Sequence, residues 1–62
     1  MNERLLKKFL LHKVEIWMVG DTEKWIGELK MIDDGVLRLA AQYGGRIYFL
    51  DCDSIVAISE VL

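Results

Sequence analysis

A strict alternation of apolar and polar residues, carried through Gly27-x-Leu29-x-x-x-Asp33, constrains this chain more than any other feature. Val14, Ile16 and Met18 alternate with Glu15, Trp17 and Val19, and Trp25, Gly27, Leu29 and Met31 alternate with Ile26, Glu28 and Lys30. A period of two is the mark of a strand with one buried face. Gly20-Asp21 separates the two runs, and Asp33-Asp34-Gly35 ends the second in a tight turn. A third run places Leu37, Leu39 and Ala41 on one side, Gly44-Gly45 signals a hairpin, and Arg46 to Leu50 follows. Asp51-Cys52-Asp53-Ser54 then interrupts the pattern, before Ile55, Ala57 and Ser59 alternate with Val56 and Ile58. Strands are therefore predicted over 13–20, 24–33, 36–43, 46–51 and 54–60.

Ahead of them, Asn2 suits an N-cap, Glu3 suits a first helical turn, and Leu5, Leu6, Phe9 and Leu10 recur at helical spacing. The spacing predicts a helix over 3–11 that turns Arg4, Lys7 and Lys8 away from its apolar stripe. So short a helix is marginal in water and needs a surface to dock on. The fold class expected is mostly β: one domain over 1–62, with an N-terminal α-helix followed by a strongly bent five-stranded antiparallel sheet closing as a small barrel. Gly27, having no side chain, gives the second strand its bend.

Sixty-two residues bury a modest share of their surface, and chains of this size usually lean on disulfides, a metal or self-association. Cys52 is the only cysteine and His12 the only histidine, whereas 53% of the residues are hydrophobic. Self-association is the expectation, with a well-packed monomeric mini-barrel as the alternative. The last two strands are the candidate interface, because Ile47, Tyr48, Phe49 and Leu50, then Ile55, Val56 and Ile58, are apolar on both faces. Unprotected edges of that kind pair or aggregate. Pairing with identical neighbours, head to tail, closes into a ring when the rotation permits.

No apolar run approaches membrane-spanning length, and Arg4, Lys7 and Lys8 break the first residues without a cleavage signal after them. A soluble, cytoplasmic protein is expected. Residues 1–13 carry a net charge of +3 and residues 14–62 a net charge of −5. Any nucleic-acid binding must therefore come from a local patch rather than an overall field. Catalysis finds no support, since a nucleophile needs a base within reach and the lone thiol and imidazole lie forty positions apart. No enzyme activity, cofactor or metal is expected. Asp33, Asp34, Asp51 and Asp53 could gather around a cation, although turn capping is their simpler use.

Val14-Glu15-Ile16-Trp17-Met18-Val19-Gly20, Gly27-Glu28-Leu29 with Asp33, Leu37-x-Leu39 and Ile55-x-x-Ile58 together resemble the Sm-like family, which includes the bacterial RNA chaperone Hfq. The resemblance spans nearly the whole chain. It implies a bent five-stranded barrel assembled into a ring of six or seven copies by fourth-to-fifth-strand pairing. It also implies a partner, single-stranded RNA. The residues that would read uridine are replaced, because Asp34 and Gly35 follow Asp33, and Asp51 and Cys52 stand where the family has arginine and glycine. The Hfq lysine and histidine correspond to Phe49 and Leu50. Trp17 matches the first-strand aromatic on which adenines stack, and Lys24 matches a basic position on the same side. Trp17 could instead be packed against a neighbour, and Trp25 shares the phase of the core residues. Arg4, Lys7 and Lys8, repeated around a ring, make a circle of positive charge or simply a solvated face. Two functions follow: a ring that binds single-stranded RNA weakly, and an oligomeric protein-interaction or assembly module without RNA. Other SH3-like small barrels share parts of the pattern and predict a monomer.

Overall fold

The computed structural model describes residues 1–62. Glu3–Leu6 form a single α-helical turn, α1, which tightens into a 3-10 turn over Lys7–Phe9. The Asn2 side chain accepts from the Arg4 N–H at 2.7 Å, so the expected cap is in place. The helix does not reach residue 11. Leu10 is already extended at φ −55° and ψ 132°, and Leu11 is left-handed at φ 66°. A residue with a β-carbon gives up about 1–2 kcal/mol there. The strand ladder offsets that cost: the Leu11 N–H donates to the Leu29 carbonyl at 2.7 Å and the Leu29 N–H to the His12 carbonyl at 3.1 Å.

Five strands follow, β1 Lys13–Met18, β2 Trp25–Asp33, β3 Val36–Ala41, β4 Ile47–Asp51 and β5 Ile55–Glu60. All lie within the predicted spans, trimmed where turn residues take over. They form one antiparallel sheet in the order β4-β3-β2-β1-β5. Asp34 and Gly35, at φ 50° and 79°, make the two-residue turn that pairs Asp33 with Val36. Between β4 and β5 a 3-10 turn spans Cys52–Ser54, capped by Asp51, whose carboxylate accepts from the Asp53 N–H at 3.0 Å.

Alternation becomes burial except at two bulges: the register shifts between Leu29 and Met31, so Met31 faces out and Ile32 packs on the core, and between Trp17 and Met18, so Ile58 packs on the core with Ile55 while Ala57 is exposed. Val14, Ile16, Leu29, Leu37, Leu39, Leu50 and Ile55 point inward and form the core with Leu6 and Cys52. Of the helical apolar stripe, Leu6 alone is fully buried; Phe9 and Leu10 pack on the core in part, and Leu5 is exposed. The molecule measures 27 × 25 × 21 Å, far thicker than one flat sheet, so the sheet is rolled over its core. Gly27 leaves no room for a side chain against β3, since a β-carbon there would lie 2.1 Å from the Ala40 carbonyl oxygen.

The roll stops short of closure. No ladder joins β4 to β5, and the expected closed barrel is an open sheet with these strands as its two edges. The turn at Cys52 redirects the chain instead of folding it back as a hairpin, and β5 takes up its ladder on β1, at the far side of the sheet from β4.

Candidate functional site

The β1–β2 hairpin brings two of the predicted site residues together. Trp17 stands on the outer face because its neighbours Ile16 and Met18 turn toward the core, and it is 36% exposed. Lys24, just ahead of β2, holds its ammonium group 5.8 Å from the centre of the Trp17 ring, within cation–π range. The same ammonium is paired with the Glu15 carboxylate. Thr22, Glu23 and Ile26 complete an open depression around Trp17 and Lys24. The arrangement offers a flat apolar ring with a cation beside it, and also two carboxylates, Glu15 and Glu23, that reduce its attraction for phosphate.

Trp25 is committed elsewhere. Its ring meets Tyr48 edge to face at 4.7 Å and 68°, and its indole N–H donates to the Asp21 carboxylate at 3.0 Å. It packs against the core in part, as its phase with Gly27 and Leu29 predicts. The Asp21 bond ties the β1–β2 turn to the start of β2, a partner that the turn signal alone did not reveal.

Arg4, Lys7 and Lys8 are exposed, and none of the three forms an ion pair. The helix that carries them is pinned from below by Leu6 and from the side by Glu3, whose carboxylate accepts from the Gly35 N–H at 2.9 Å. Glu3 therefore holds the β2–β3 turn, a role that sequence reasoning assigned to nothing beyond the first helical turn. No hydrogen bond or ion pair links this basic face to Trp17 and Lys24.

The loop positions that would read a base are structural. Asp34 and Gly35 are consumed by the tight turn, and Asp51 caps the 3-10 turn through Asp53 and Ser54. Asp33, Asp34, Asp51 and Asp53 do not converge into a group able to hold a metal ion. Cys52 is buried and its thiol is pushed above its ordinary 9.0, first by burial and then by the Glu3 carboxylate, so it is a poor nucleophile. His12 is exposed, with Nδ1 3.5 Å from Glu60 at the end of β5.

The candidate interface residues divide by face. Leu50 and Ile55 are spent in the chain's own core, and Tyr48 and Ile58 pack against it in part, so none of these four side chains is free on the surface. Alternation turns Tyr48 and Leu50 inward, whereas Ile55 and Ile58, three residues apart, share the inner face because the β1–β5 ladder is bulged at Val56. Ile47, Phe49 and Val56 face out. Met31, whose spacing put it in phase with Gly27 and Leu29 but which the bulge after Leu29 turns outward, and Val36 extend the Phe49 patch across the outer face with Arg38 and Asp33 beside them.

Residues 1–61 match the domain of unknown function DUF6897. The chain belongs to that family. No curated protein matches it. No helix is long and apolar enough to cross a membrane.

Proposed function

We propose that this DUF6897 domain is a Sm-like protein that assembles with identical copies into a ring, each copy adding its β4 edge to the β5 edge of the next. The observation that carries this reading is the strand order β4-β3-β2-β1-β5 in a rolled sheet, with an apolar strand left unpaired at each end. An open edge exposes a row of main-chain donors and acceptors, and two different edges on one molecule favour head-to-tail pairing, which is how rings form. Light scattering on a size-exclusion column tests it. A mass of six or seven times 7.2 kDa is expected, and a monomer at micromolar concentration refutes it.

On such a ring, the proposed ligand is single-stranded RNA, held either by stacking on Trp17 with Lys24 at its side or by its phosphates on the basic face of Arg4, Lys7 and Lys8. Repetition around the ring supplies by multivalency what one copy lacks. Titration of labelled poly-A and poly-U at two salt concentrations tests this, with weak, salt-sensitive binding expected. The Glu15–Lys24 pair and Glu23 favour the second reading, a ring that holds proteins rather than RNA. The absence of binding to either polymer at low salt would decide for it.

A further inference from the structure

Three aromatic side chains line one open depression: Trp25 at the start of β2, Tyr48 in β4 and Tyr43 in the turn between β3 and β4. The edge-to-face contact with Tyr48 and the bond to Asp21 fix the Trp25 ring, so these walls are in place before a ligand arrives and cost little to order. Tyr43 is 81% exposed. Its hydroxyl accepts from the Gln42 amide at 3.5 Å, and the Tyr48 hydroxyl has no partner within the chain, so both phenols remain free to donate. Ile26 and Ala41 complete the lining from β2 and β3, strands whose main chains are flanked on both sides. A ligand lying over them binds through side chains and not as an added strand.

A polar depression formed by Asp21, Thr22 and Glu23 adjoins this one, sharing Lys24 and Trp25 with it. The Lys24 ammonium is paired with Glu15, Asp21 keeps one carboxylate oxygen clear of its Trp25 bond, and Glu23 forms no ion pair. Arg46, the basic residue of the β3–β4 turn, lines neither depression. Aromatic walls thus stand beside two carboxylates that repel phosphate and attract a cation. An open site of this kind gives little to offset the ordering of a flexible chain, which favours a ligand that is already extended. The polyproline II helix is such a ligand: its rings pack on aromatic side chains, and its carbonyls, unpaired within the helix, accept from hydroxyls. We infer that Trp25, Tyr43 and Tyr48 dock a proline-rich segment of another protein in the polyproline II form, while Asp21 and Glu23 hold a lysine or arginine beside its prolines. The 62 residues contain no proline, so a second copy of them cannot supply the segment. The inference rests on the reading in which the domain holds proteins and needs no ring, because every residue named belongs to one chain.

The probe is a fluorescein-labelled oligoproline peptide with an arginine at each end, titrated with the protein and followed by anisotropy. Saturable binding is expected, weakened roughly 5- to 30-fold by Tyr43→Ala, the range for truncating a contributing interface residue. Tyr43 lies on an exposed turn, and circular dichroism checks that the variant folds. Glutamates in place of the arginines should weaken binding, and Glu23→Gln should shrink that difference. A glycine-serine peptide with the same arginines is the control for charge alone. The inference is overturned if oligoproline does not bind, if the control binds as tightly, if Tyr43→Ala changes nothing, or if the preference for arginine is missing or survives Glu23→Gln undiminished. Tyr43→Ala weakening poly-A binding and not peptide binding would give the depression to RNA and overturn it too. The poly-A and poly-U titrations judge the protein-holding reading separately: when neither polymer binds and oligoproline also fails, that reading stands and only this ligand is lost.

Discussion

Replacing Gly27 by alanine tests whether the roll of the sheet depends on a missing side chain. The added β-carbon would sit 2.1 Å from the Ala40 carbonyl oxygen, 2.9 Å from the Ala40 carbonyl carbon and 3.2 Å from the Ala41 Cα. All three are backbone atoms of β3, so no rotamer change relieves the contact, and β2 must move away from β3 where the two are paired, Gly27 opposite Ala41. Overpacking a well-filled core by one or two methylenes costs roughly 1–3 kcal/mol when side chains can yield, and a main-chain collision belongs at or above the top of that range. Against it stands a gain of about 0.4–1 kcal/mol, because alanine restricts the unfolded chain more than glycine does. The net expectation is a loss of about 2–3 kcal/mol. At roughly 0.05–0.15 kcal/mol per residue, a chain of this length holds only about 3–9 kcal/mol in all. Gly27→Ala should therefore lower the urea midpoint by about a fifth or more, or leave the protein unfolded. Wild type and variant are compared at one protomer concentration, since assembly contributes to apparent stability. A variant within about 0.5 kcal/mol of wild type would refute the close-approach argument.

Three further outcomes follow from the same packing. Leu6→Ala should cost about 2–5 kcal/mol by urea denaturation while the exposed Leu5→Ala costs under about 1, and equal losses would mean that the helix is docked by its whole stripe and not by one side chain. The folded state holds the Cys52 proton more tightly than the unfolded chain, whose thiol titrates near 9.0; stability is full below that pH and declines as pH rises beyond it. Cys52→Ala should remove that alkaline decline in a series of melts. Trp17→Ala should weaken poly-A binding by about 1–3 kcal/mol per stacked base, roughly 5- to 150-fold in Kd, and unchanged fluorescence titrations would place the RNA elsewhere.

Much of the architecture was written in local pattern. Alternation at Val14–Met18 and Trp25–Leu29, the Asp34-Gly35 turn and the breaks at Gly20 and Asp51 each depend on neighbours a few residues away, and all emerged close to their predicted places; past Leu29 a bulge set by pairing with β3 turns Met31 outward. Gly27 was legible because a small residue inside a strand pattern signals a close approach. The helix was overextended because its end depends on Leu29, eighteen positions downstream, whose carbonyl draws Leu11 into the ladder. Glu3 and Asp21 were read only as a helix start and a turn residue, since a carboxylate's hydrogen-bond partner depends on which loop the fold brings beside it.

By itself, then, the order of residues determined which segments are strands, which side of β1 and β3 faces inward and where the chain must turn, since periodicity and turn chemistry act within a few bonds. Only the tertiary structure decided that the sheet stays open, that Trp17 remains available while Trp25 is spent on Tyr48 and Asp21, and that Leu50 and Ile55 belong to the core while Phe49 and Val56 face outward. The reason is physical: closure, exposure and register all depend on how distant strands share one limited core, and a bulge of one residue is enough to turn Val56 outward and bring Ile58 onto the core beside Ile55.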